Sequence, residues 1–161
     1  MRGLKDHKIF IKKNANQTVY NSTTLVNDDE LYYVFPQTGL YEVKLRCRCQ
    51  GSNAADIKTA WTVETGVANI TSRYCLGIGT NNGANVARVD TMVVRETSSL
   101  GATIDYNPGD GTNSGWFEET FVVEVTTPNV KLQLQWAQST AEASSTMVRS
   151  NSHLMIEKVF S

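Results

Sequence analysis

Two histidines, three cysteines and a scatter of carboxylates are the side chains in this chain that could do chemistry. Nucleophilic catalysis needs a serine or cysteine beside a base. His7 lies among Lys5, Asp6 and Lys8, His153 opens the last apolar alternation, and no serine sits in a nucleophile elbow. Zinc needs four ligands, and Cys47, Cys49 and Cys75 have no histidine close by to complete the set. Glu118 and Glu119 are neighbours in an extended stretch, so they point to opposite faces and cannot serve one substrate as acid and base. Asp105 and Asp110 are an acidic pair that one loop could bring together, but the same residues read as ordinary turn chemistry. Asn27-Asp28-Asp29-Glu30 lacks the alternating ligands and the glycine of a calcium loop and reads as a solvated turn. The glycines of Gly77-Ile78-Gly79-Thr80-Asn81-Asn82-Gly83 are followed by no lysine-serine pair or helix, so they do not form a phosphate loop. No catalytic, metal or cofactor site is expected, and the chain is not read as an enzyme.

The cysteines leave one odd in any pairing within the chain. Cys47 and Cys49 share a strand face and sit too far apart to bridge each other. They are expected to be buried thiols; a disulfide between subunits is the other reading.

The chain has 161 residues, enough for one domain with a core that needs no disulfides. Its net charge is −1 with both signs interspersed, which argues against nucleic acid or anionic lipid as a partner. No apolar run approaches membrane-span length. Ile9-Phe10-Ile11 is too short for the apolar core of a leader and is followed at once by Lys12-Lys13, so synthesis and folding in a cytoplasm are expected. Thr and Val favour strands, Asn, Ser and Gly favour turns, and no stretch reads as a stable helix, so the class is all-β.

The clearest strand is Val130-Lys131-Leu132-Gln133-Leu134-Gln135-Trp136, with its apolar residues on one face and Lys131, Gln133 and Gln135 on a polar face for water or a neighbour. Tyr41, Val43, Leu45, Cys47 and Cys49 alternate with Glu42, Lys44, Arg46 and Arg48, whose face reads as solvated. Ile57, Thr59, Trp61 and Val63 form another inward set, as do Phe117, Phe121, Val123 and Val125, and then Leu154 and Ile156. Val86 to Glu96 supplies a strand with Met92, Val93 and Val94 inward. Thr127-Pro128-Asn129 predicts that 116–126 and 130–138 form an antiparallel hairpin. Asp105 to Gly115 reads as one long loop, with Asp105, Tyr106, Asp110 and Trp116 as contact candidates; Tyr74, Tyr106 and Trp116 are the aromatics that could stack on a sugar. Residues 1–24 read as an extended arm pinned on a neighbouring chain through Ile9, Phe10, Ile11, Val19 and Tyr20, and residues 25–161 as the domain proper. Short strands with a turn every 8–12 residues indicate an antiparallel sandwich, most naturally a jelly roll.

Val19-Tyr20-Asn21-Ser22-Thr23-Thr24-Leu25-Val26-Asn27-Asp28-Asp29-Glu30-Leu31, with Leu40-Tyr41-Glu42-Val43, resembles the opening of small structural proteins of tailed bacteriophages. Asp56-Ile57-Lys58-Thr59-Ala60-Trp61-Thr62-Val63 is similar to their next strand. Leu132-Gln133-Leu134-Gln135-Trp136-Ala137-Gln138 and Thr146-Met147-Val148-Arg149-Ser150-Asn151-Ser152-His153-Leu154 are similar to their closing hairpin. The resemblance implies a jelly roll of the C1q and tumour-necrosis-factor type, assembled as a homotrimer, with no catalytic residues. It implies a virion protein with two possible places. As a capsid decoration protein its arm and base would bind major capsid subunits; as a tail-fibre or tail-tip module it would bind a host-surface receptor or glycan.

Overall fold

The computed structural model describes residues 8–52, 54–63, 67–70, 73–78, 92–109 and 111–160. Among these there are thirteen strands and no helix. In chain order they are β1 (Lys8–Lys12), β2 (Gln17–Tyr20), β3 (Val26–Phe35), β4 (Gly39–Gln50), β5 (Ile57–Val63), β6 (Val67–Ile70) and β7 (Arg73–Ile78). There follow β8 (Met92–Thr97), β9 (Ile104–Tyr106), β10 (Gly115–Val125), β11 (Val130–Ala137), β12 (Ser145–Val148) and β13 (His153–Phe160).

The strands make two antiparallel sheets. The larger runs β1-β13-β4-β10-β7-β8, with β12 and β2 continuing from β4 and β6 paired to β10; the smaller runs β3-β11-β5-β9. Pairing nests from the ends of the chain inward: β1 with β13, β3 with β11, β4 with β10, β5 with β9. The inward sets expected for β4, β10 and β13 meet Leu31, Phe35, Ile57, Trp61, Leu132, Leu134 and Trp136 of the smaller sheet in one core. Trp61 and Trp136 are 2% and 0% exposed, and Trp61 meets the Phe121 ring edge-on across the sheets at 5.1 Å. An all-β antiparallel sandwich is therefore what this alternation builds.

Several expectations are corrected. Residues 116–126 and 130–138 are not a hairpin, because β10 pairs with β4, β6 and β7 while β11 pairs with β3 and β5. Each strand carries one apolar face, and the connection at Asn129 (φ 63, its N–H on Phe35 O at 2.6 Å) lets the two faces pack against each other between sheets. Asn27 to Glu30 is not a turn but part of β3, and Asp28 is buried beside Lys13. The ladder between β3 and β11 shifts register at Gln133/Gln135, so Gln133 lies buried rather than on a polar face, its Nε2 donating to Asp28 O at 2.9 Å.

Residues 8–24 are not a separate arm. β1 is an edge strand of the larger sheet, and Lys13 continues the ladder by donating to Ser152 O (2.8 Å) and accepting from Asn151 N (2.9 Å). β2 pairs with β12, and Ser22 exchanges bonds with Gln138. The polar composition that suggested an arm reflects neighbours on the same chain that satisfy it. The long loop begins later than expected, because Asp105 and Tyr106 belong to β9. His7, Asp110, residues 79–91 and the side chains of Met92, Val93 and Val94 lie outside the described residues.

Candidate functional site: a cleft on the outer face of the larger sheet

Alternation on β4, β10, β13 and β1 sends every second side chain away from the core, and antiparallel register sets these side chains in rows. Trp116 stands opposite Arg48, and Glu118 opposite Arg46. Arg46 in turn stands opposite His153, and Met155 opposite Phe10. The Phe10 ring stacks on His153 with centroids 4.8 Å apart. Asn151, at φ 70 in the turn before β13, closes one side. Together Arg46, Cys47, Arg48, Trp116, Glu118, Asn151 and His153 line an open cleft of about 320 Å³.

The two arginines differ. Arg46 is committed, its Nε paired with Glu118 Oε1. Arg48 makes no side-chain hydrogen bond or ion pair to any described residue, while its backbone N–H is fixed on Ser152 Oγ at 3.0 Å. The cleft thus offers one free guanidinium beside an indole that is 41% exposed. That pair suits a planar anionic group: the guanidinium forks onto a carboxylate and the indole face covers flat or apolar surface. Cys47 does not supply a nucleophile, because burial, and then Cys49 beside it, hold its thiol well above the ordinary range. All three cysteines are buried free thiols, so none reaches the surface to bridge subunits.

Of the residues the sequence singled out, Phe10 and Trp116 come to this one face. Ile9 and Ile11 are partly buried against the core and Val19 is 7% exposed, so they serve the sandwich itself. Tyr20 is 61% exposed, on β2. Asp105 is half-buried and accepts from Ser139 Oγ at 2.6 Å. Tyr106 is no contact residue, being 2% exposed, stacked on Phe117 at 4.2 Å and bonded through its hydroxyl to Glu119 Oε1 at 2.9 Å. Tyr74 and Trp116 remain as exposed aromatics. Arg48 and His153 were missed as a pair with Trp116, because what joins them is the β4–β10–β13 register rather than any local motif.

A second polar cluster is internal. Glu119 Oε1 accepts from Thr59 Oγ1 at 2.6 Å, Oε2 accepts from Trp61 Nε1 at 2.7 Å, and Arg73 Nε ion-pairs with Oε2 at 3.3 Å. Arg73 also donates to Leu100 O and Ala102 O at 2.8 and 3.0 Å. Each carboxylate oxygen of Glu119 is engaged and the residue is fully buried, so this is a clasp between sheets.

No protein-family model and no curated protein matches the chain. Among solved structures it is similar to a chain in the structure of infectious bursal disease virus Gx strain, with 9% identity and a TM-score of 0.26, over 98% of this chain and 43% of that one. It is similar also to a chain in the Gt-strain structure, with 6% identity, a TM-score of 0.26 and the same coverage. The chain spans less than half the length of either viral chain.

Proposed function

We propose that this is a bacteriophage virion structural protein, a jelly-roll module that acts as a homotrimeric capsid decoration protein on major capsid subunits. The observation that carries the reading is the outer face of the larger sheet, where Phe10, Tyr74 and Trp116 are 58%, 54% and 41% exposed among Lys44, Arg46 and Arg48. Aromatic and arginine side chains together are the composition of a protein interface, and an arginine face with acidic partners interspersed fits protein better than nucleic acid. The nested strand pairing supports the jelly roll, and the resemblance to phage structural proteins supports the virion. Contacts that exist only on an assembled lattice stabilise it by mass action. The test is co-sedimentation with expanded capsids and with unassembled capsid subunits: binding to capsids alone supports decoration, and binding to neither overturns it.

The free Arg48 beside Trp116 in a concave site favours a second reading, a tail-tip module that binds an acidic glycan or receptor on the host surface. Binding of purified protein to intact host cells, with none to capsids, would establish that reading instead.

A further inference from the structure

Lys13 and Asp28 are both withdrawn from water, their side chains 1% and 0% exposed, with Lys13 Nζ 2.9 Å from Asp28 Oδ1. Lys13 extends β1 of the larger sheet and Asp28 sits in β3 of the smaller, so the pair joins the sheets. As an ion pair it is incomplete. Oδ1 takes the lysine and also the backbone N–H groups of Glu30 and Leu31, at 3.0 and 2.9 Å, whereas Oδ2 is buried with no hydrogen-bond partner. A buried ion pair offsets its desolvation only when the remaining lone pairs are satisfied, and native interiors seldom leave such an oxygen bare.

The same arrangement is complete for amide formation. Two N–H groups aimed at one carboxyl oxygen form an oxyanion pocket. An amine is held against that carboxyl where water is excluded, which supplies proximity and suppresses the reverse hydrolysis. The other carboxyl oxygen has no bond holding it. A further carboxylate, Glu30 Oε2, lies 3.8 Å from Nζ and is itself positioned by the backbone N–H groups of Asn14 and Ala15.

We infer that Lys13 and Asp28 become joined by an intramolecular isopeptide bond that the folded chain forms on itself. One ammonium proton of Lys13 passes, with Glu30 as carrier, to Oδ2 of Asp28. The neutral amine attacks Cγ, the N–C bond forms, and the charge develops on Oδ1 in the N–H pocket. A second proton moves from nitrogen to the departing group, the Cγ–Oδ2 bond breaks, and Oδ2 leaves as water. An ammonium and a carboxylate thereby give one amide and one water, with no oxidant, reductant or cofactor. The product removes both buried charges and the unpartnered oxygen, and it ties the edge strand β1 covalently to the opposite sheet.

Intact-mass measurement of the full folded chain tests this directly. The expected mass is that of the sequence less one water, with a branched peptide linking Lys13 to Asp28 after digestion. The full sequence mass overturns the inference, as does a water loss traced to cyclisation at Asp110-Gly111. Lys13→Arg keeps the positive charge and should show the full mass; a water loss that persists in it overturns the bond. Glu30→Gln should slow bond formation by about tenfold or more in freshly made protein, in the range of a single proton-transfer group. An unchanged rate removes Glu30 from the step as written.

Discussion

Trp61 on β5 and Glu119 on β10 meet across the two sheets, the indole Nε1 donating to Oε2 at 2.7 Å with both side chains buried. Thr59 and Tyr106, also on the smaller sheet, close on Oε1, and Arg73 approaches from β7 next to Glu119's own strand. Three donors from one sheet and a cation from the other fix how the layers sit. Glu119→Ala leaves Arg73 buried and uncompensated, so it should cost about 3–5 kcal/mol in urea unfolding. A loss under about 1 kcal/mol would mean that water fills the gap without penalty.

Gly77 lies beneath that clasp. A Cβ there would stand 2.8 Å from both Phe117 Cβ and Tyr106 Cδ1, two side chains already stacked at 4.2 Å. The close approach of β7 to this stack requires the missing side chain. Gly77→Ala should therefore destabilise by about 1–3 kcal/mol through overpacking, read from the denaturant midpoint. Neutrality would show that the two rings separate freely.

These relationships mark where the sequence was legible. Period-two alternation placed Trp61, Trp136, Leu45, Phe121 and Ile156 inward, because one-sided burial leaves a strand no other solution. Glu119 shares the inward face of β10, yet no local pattern marks it, because its partners Thr59, Trp61, Arg73 and Tyr106 are dispersed along the chain. Thr127-Pro128-Asn129 looked like a hairpin turn because a short connection serves equally for strands in one sheet or in two. Residues 8–24 looked like an arm because pairing of β1 with β13 spans nearly the whole chain, and no local pattern encodes it. The cleft was hidden for the same reason: Arg48, Trp116 and His153 meet only through register.

Asp56 supplies a pH dependence. Burial first, and then the Asp105 charge, push its carboxyl from the ordinary 3.8 up to about 6. A carboxyl that binds its proton more tightly when folded favours folding at low pH, and that contribution is lost as pH rises from about 4 through about 6. Asp56→Asn removes the charge and suits the residue's φ of 50, where asparagine is tolerated. The side chain is only half-buried, so the gain at pH 7 should be about 1 kcal/mol rather than the full electrostatic value. The gain should shrink below pH 5; a gain independent of pH would assign it to backbone conformation alone.

The outer-face cleft separates binding from folding. Deleting residues 1–24 is a poor test of attachment, because it strips β1 and β2 from the larger sheet and takes Lys13 from the interior. Phe10, Arg48 and Trp116 are exposed, and Arg48 has no side-chain partner to lose among the described residues. Arg48→Ala should therefore leave stability within about 0.5 kcal/mol, and Phe10→Ser, which gives up only the stack on His153, should cost no more than about 1.5 kcal/mol. If this face docks on capsid subunits, each side chain near its centre should be worth about 2 kcal/mol or more, roughly thirtyfold in affinity. Trp116→Ala should show the largest loss of capsid occupancy, since its indole supplies the most contact area beside the free guanidinium. Normal occupancy by a Trp116→Ala, Arg48→Ala double variant would move the docking surface off the larger sheet, to the exposed Tyr32 and Val34 of β3 on the smaller one.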